Sequence, residues 1–248
     1  MLRNKTHILL LIIFLFCSIF HSFGQKRRGS IFREKVQNLQ QIDDKLFHFG
    51  FTLGIHTQDF GFKNSDVMDK DGIVWKGDVP IISPGFSVGI ISDLRLNKYF
   101  NLRFVPVLNF GDRRVSFSGY RDGVKVDQFS TSVVSTIINL PLTVKFRSVR
   151  ISNYRPYLIA GGGMSIDISR KNDVPLMLKQ LDGFVEFGVG CDFYLEYFKL
   201  APELKMCLGF NNMIERNRPG LERKEDIKYT DAISRLTSRL IVLTFNFE

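Results

Sequence analysis

Three observations predict the fold class. Long segments alternate between apolar residues and polar or glycine residues. There are eight of them, an even number. Short and long connections take turns between them. Together these describe an all-β chain, an eight-stranded antiparallel transmembrane β-barrel of the outer-membrane type, with a short N-terminal periplasmic segment. Soluble sandwich strands average about five or six residues, whereas many segments here run past ten.

Composition narrows the classes first. The chain has 248 residues, 44% hydrophobic and 24% charged, with mean hydropathy near zero. Phe 24, Tyr 7 and Trp 1 are too many aromatics for a disordered chain. Beyond the first two dozen residues no apolar run of about 20 occurs, which excludes a helical membrane protein. The net charge of +9 does not point to nucleic acid, because the 34 Lys and Arg are dispersed among 25 acids. No basic face carries interleaved aromatics.

The chain opens MLRNKTH, ILLLIIFLFCSIF, HSFGQ. Arg3 and Lys5 form a positive start, and residues 8–20 form an apolar stretch too short to span a bilayer. Ser22 and Gly24 are small and precede a cut between Gly24 and Gln25. Cys17 lies inside the apolar run behind Phe14, Leu15 and Phe16, which is no lipid-attachment context. Residues 1–24 are therefore expected to be a cleaved signal peptide. Residues 25–45 form a basic periplasmic segment outside the barrel, with a short helix capped by Ser30, and residues 46–248 form the barrel.

From Leu46 the period becomes two. In LFHFGFTLGIHTQDF, Phe47, Phe49, Phe51, Leu53 and Ile55 share one face, and His48, Gly50, Thr52, Gly54 and His56 the other. PGFSVGIISDLRL sets Phe86, Val88 and Ile90 against Gly85, Ser87, Gly89, Asp93 and Arg95. FNLRFVPVLNFGD sets Phe100, Phe104 and Leu108 against Asn101, Arg103 and Asn109. INLPLTVKF sets Leu140, Leu142 and Val144 against Thr143 and Lys145. RPYLIAGGGMSIDIS alternates less cleanly. FVEFGVGCDFYLEY sets Val185, Phe187 and Val189 against Glu186 and Asp192. LAPELKMCLGFN sets Leu204 and Met206 against Glu203 and Lys205, and RLIVLTFNFE closes the series.

A soluble barrel would turn the apolar face inward and leave the glycines outside, where they gain nothing. Inside a narrow eight-stranded barrel, glycines make room for long charged side chains. The apolar face therefore meets lipid. Tyr99, Phe100, Phe146, Tyr154, Tyr197 and Phe198 gather at the short-turn end, as an interfacial girdle would. Mixed lumen charges make a plug rather than a pore.

Turn lengths then predict two lumen ion pairs. A three-residue turn at residues 97–99 sets Asp93 opposite Arg103. A two-residue turn at Phe198 and Lys199 sets Asp192 opposite Lys205. Cys191 and Cys207 fall on opposite faces, which forbids a disulfide.

No catalytic, metal or cofactor site is expected. His48 and His56 share a face but lie about 26 Å apart along one strand, too far to share a metal. No nucleophile elbow, phosphate loop or CxxC pair occurs, and the Gly161–Gly163 run lacks the helix a cofactor loop needs. That run reads as a site of close backbone approach or a bulge.

At HFGFTLGIHTQDF, PGFSVGIISDLRLNKYFNLRFVPVLNFGDR, NLPLTVKFRSVRISNYRPYLIAGGG and CDFYLEYFKLAPELKMCLGFNNM, the sequence resembles the PorT/SprT family of the Bacteroidetes. These are β-barrel components of the type IX secretion system. The resemblance implies an accessory or assembly role in exporting cargo across the outer membrane, and gliding motility in some members. It implies no catalytic residue and no cofactor. The expected partners are outer-membrane lipid and other secretion subunits, with no nucleic acid and no small-molecule substrate. The competing class is a stand-alone small barrel for adhesion or small-ligand binding through its outer loops.

Overall fold

The computed structural model describes residues 37–65, 68–69, 72–78, 83–121, 124–169, 178–214 and 232–248. Ten antiparallel strands carry it: β1 (Phe47–Asn64), β2 (Val74–Asp78), β3 (Ser83–Arg95), β4 (Phe100–Phe104), β5 (Val107–Arg121), β6 (Val124–Arg147), β7 (Tyr154–Asp167), β8 (Leu181–Tyr194), β9 (Lys199–Gly209) and β10 (Ile233–Phe247). Strand β1 pairs with β10 on one side and β3 on the other, so the sheet returns to its start. Strands β4 and β5 are one ring strand interrupted around Pro106, which has no N–H for a ladder. Both pair with β3 and with β6. The ring therefore has eight members, and β2 hangs on β5 outside it.

On the outer face the registers keep apolar residues beside apolar ones. Phe51 faces Phe247 on one side and Ile90 on the other, while Thr52 faces Asn246 and Gly89. Around the ring Phe49, Ile90, Leu142, Leu158 and Val189 are exposed, whereas His48, Asp93, Thr143, Lys145, Glu186 and Glu203 are buried. This inversion, with charges inside and apolar side chains outside, is the pattern of a barrel solvated by lipid. Aromatic pairs strengthen the outer face: the rings of Phe51 and Phe247 stack at 4.8 Å.

Glycine makes the interior possible. A Cβ at Gly190 would sit 2.4 Å from the Tyr157 ring, and one at Gly85 2.3 Å from His56 Nε2. At Gly161 a Cβ would meet the Leu142 carbonyl oxygen at 2.3 Å. The Gly161–Gly163 run pairs residue for residue with Thr143, Leu142 and Pro141, so it is a close approach and not a bulge.

Two features depart from the sequence reading. The stretch between the first two ring strands, read as a loop, contains β2. Strand β6 starts at Val124 and runs 24 residues, about 80 Å at the usual rise, where about ten suffice to cross a bilayer. The β5–β6 hairpin therefore projects well past the barrel at the long-connection end. There Phe60, Trp75, Phe117, Leu178, Met213, Ile214, Ala232, Ile233 and Leu236 form a buried apolar cluster.

The signal-cleavage pair Gly24 and Gln25, and the helix assigned to Ser30, lie outside the described residues. The described end of that segment holds a single 3-10 turn, Ile42–Asp44.

Candidate functional site: a filled lumen and a basic mouth

The lumen is built in layers, following β1 from its short-turn end. Arg103 is the centre of the first. Its Nε lies 2.9 Å from Asp93 Oδ2, its Nη2 2.7 Å from Glu248 Oε1 and its Nη1 3.4 Å from Glu203 Oε2. Asp93 stands directly opposite Arg103 in the β3–β4 register. That register follows from the turn, in which the Asn97 side chain accepts from the N–H groups of Tyr99 and Phe100, both at 2.8 Å. Asn101 donates a further hydrogen bond to Asp93.

The second predicted pair is corrected. Asp192 does not face Lys205. Its Oδ1 lies 2.7 Å from Lys145 Nζ, and its cross-strand neighbour on β7 is Arg155. Lys205 stands opposite Gly188, with Glu203 at 3.6 Å and Glu186 at 3.8 Å. The cause is the turn. Tyr194 pairs with Lys199, so the loop holds four residues, Leu195, Glu196, Tyr197 and Phe198, rather than two. The longer loop moves the partners along but preserves the faces, so both residues remain in the lumen.

Around this layer, Lys199 Nζ meets Glu248 Oε2 at 2.5 Å, and the Tyr157 hydroxyl donates to Glu203 at 2.7 Å. Lys145 sits 3.8 Å over the Tyr157 ring. Sequence reasoning missed Glu248 and Tyr157. Glu248 shares parity with the lumen-facing residues of its strand, which was the available signal.

The next layer is a directed hydrogen-bond chain. Arg113 Nε donates to Gln58 Oε1 at 3.1 Å, Gln58 to His56 Nε2 at 3.0 Å, His56 Nδ1 to Ser87 at 2.7 Å, and Ser87 to Asn109 at 2.8 Å. Above it the Arg113 guanidinium covers the Phe60 ring at 4.9 Å, the underside of the apolar cluster. Cys207 is buried beside Glu186, Cys191 is partly exposed on the outer face, and both are free thiols.

Among the described residues, buried cations (Arg103, Arg113, Lys145, Arg147, Arg155, Lys199, Lys205) balance buried carboxylates (Asp93, Asp167, Asp182, Glu186, Asp192, Glu203, Glu248). A buried charge is costly unless partnered, and this balance lets the lumen hold so many. The cavity beside Arg113 and Asp182 has about 20 Å³, room for about one water. No three His, Cys, Asp or Glu side chains group as a metal site among the described residues.

The short-turn mouth differs. Here Asp43 of the 3-10 turn inserts among arginines: Oδ1 lies 3.4 Å from Arg147 Nη1 and from Arg155 Nη1, and Oδ2 3.7 Å from Arg150 Nη1. The Tyr194 hydroxyl donates to the same carboxylate at 2.9 Å. His48 Nε2 donates to the Ile42 carbonyl at 2.7 Å, and Asn38 bonds Asn153 and the Tyr194 carbonyl. Residues 38–44 are therefore fastened to the barrel end. Arg95, placed on the lumen face by its parity, sits at this rim with Asp44 at 3.3 Å.

An eight-stranded ring with an apolar exterior and a lumen occupied by paired charges is a small outer-membrane-type barrel. The comparison with family models agrees. The model described as outer membrane protein beta-barrel domain matches residues 23–215, most of the chain, and the chain belongs to that family. Its place is the outer membrane. A search of curated proteins finds no match to this chain.

Proposed function

We propose that this barrel is an accessory or assembly subunit of a protein secretion machine of the type IX class, linked to gliding motility where that machinery drives it. The observation that carries the reading is the filled lumen. Eight strands leave an interior that side chains fill, and buried charged residues occupy this one, so the barrel acts through its ends and its outer wall. The resemblance of the ring strands to the PorT/SprT barrels supplies the secretion context. Residues 38–44, fastened to the short-turn end, make that end the built face of the molecule. In this reading the short turns and the N-terminus face the periplasm, other secretion subunits are the partners, and the role is not catalytic. Deleting the gene and comparing secreted proteins tests it. Loss of many secreted proteins at once is the expected result. An intact secretome with one surface interaction lost would instead assign the chain to stand-alone adhesion or ligand binding.

A further inference from the structure

The short-turn mouth is lined by five cations and two carboxylates. A cavity of about 240 Å³ opens there, lined by Arg95, Lys98, Arg147, Arg150 and Arg155 against Asp43 and Asp44. Asp43 serves three guanidinium groups at 3.4–3.7 Å, beyond the 2.7–2.9 Å of a strong charge-assisted bond. One carboxylate is thus shared thinly among three cations. A second observation is independent of the charge count. Arg147 is 1% exposed, lines the cavity, and its Nε has no hydrogen-bond partner. A buried guanidinium N–H without an acceptor is costly, and a second oxyanion in the cavity would supply one. The preceding residues 25–36 are poor donors of that anion, since they carry Lys26, Arg27, Arg28, Arg33 and Lys35 against Glu34 alone.

We infer that the cavity at the short-turn mouth is a docking site for a carboxylate side chain of an acidic segment of a periplasmic partner protein, bound beside Asp43 by Arg147, Arg150 and the rim residues Arg95 and Lys98. Asp43 shows that the arginines accept a carboxylate. The site lies on the lumen side of the ring, whereas lipid headgroups meet the outer girdle of Tyr99, Tyr154 and Tyr197, so an acidic protein segment fits it better than a lipid phosphate. The inference rests on the secretion-subunit reading for its orientation and for the kind of partner.

The test uses the full mature chain in detergent micelles and a hexaglutamate peptide, with hexaglutamine as control, followed by thermophoresis. Hexaglutamate is expected to bind saturably and in a salt-sensitive way. The double variant R95A/K98A, altered only at the rim, is expected to weaken it about tenfold. Asp43→Asn removes the competing carboxylate and is expected to tighten binding. Asp44→Asn, at an exposed rim residue, is expected to do so more weakly and covers the case in which the Asp43 variant does not fold. Absence of saturable binding, or binding indifferent to R95A/K98A, overturns the proposal. Displacement of the peptide by phosphatidylglycerol nanodiscs but not phosphatidylcholine ones, or by inorganic phosphate alone, also overturns it and assigns the site to phosphate. If hexaglutamate binds as expected while cells carrying the gene deletion keep a normal secretome, the docking chemistry stands and the secretion reading falls.

Discussion

Arg103 shows how one side chain organises a barrel interior. Its guanidinium faces three carboxylates, from β3, from β9 and from Glu248. Arg103→Met would take from Asp93 its ion-pair partner and from Glu203 and Glu248 one of the two cations each holds, and is expected to cost on the order of 3–5 kcal/mol. Asp93→Asn leaves Arg103 with Glu203 and Glu248 and is expected to cost less. The double variant R103M/D93N is expected to be more stable than R103M alone, because it removes one of the stranded charges. Urea unfolding in micelles, followed by circular dichroism, gives the three values. Additive losses would mean that Asp93 and Arg103 do not couple. The two predicted ion pairs also show where residue-level reading stops. Face parity and a three-residue turn at residues 97–99 set Asp93 opposite Arg103, and in the structure the Asn97 side chain closes that turn. Leu195, Glu196, Tyr197 and Phe198 include no Gly, Pro, Asn or Asp to mark a turn. Loops of two and of four residues keep the same face parity there, and the longer one moved Asp192 to Lys145.

At the scale of elements, the ring strands and the projecting hairpin obey different rules. Ring strands alternate because one face meets lipid and the other the lumen, and that alternation is legible. The hairpin beyond the ring has water on much of both faces; Val124 and Val126 are exposed near its tip. Its alternation therefore carries no strand signal. Strand β2 has only five residues, too short for its alternation to stand out, with Trp75 as its one clue. Trp75 is 2% exposed and packs in the apolar cluster at the long-connection end. Trp75→Ala is expected to cost about 3–5 kcal/mol in that cluster. Because the cluster lies outside the lipid-facing ring, the loss should be local. Limited proteolysis should cut β2 and the β5–β6 hairpin faster, while the heat-modifiable gel shift of the folded barrel persists. Loss of that shift would show that cluster and ring unfold together.

At the scale of the whole barrel, charged side chains fill the lumen of the described residues and an apolar cluster lies at its long-connection end. Reconstituted in planar lipid bilayers, the protein is expected to show no ion conductance steps. Sustained current would mean that the lumen opens and would remove the argument that this barrel works through its ends.

By itself the sequence determined the ring of eight, the facing of its strands, the apolar exterior, the separation of the two cysteines and the Asp93–Arg103 pairing. Each depends on a period of two or on a marked turn, and these are local properties of the chain. Only the tertiary structure decided which acid serves which cation elsewhere in the lumen, that Glu248 and Tyr157 join the Arg103 layer, that Trp75 anchors an extra strand, and that Asp43 enters a mouth of arginines. Most of those contacts join different elements, some of them far apart in the chain, 104 positions for Asp43 and Arg147 and 145 for Arg103 and Glu248. They depend on where eight strands converge, and no local pattern encodes that distance.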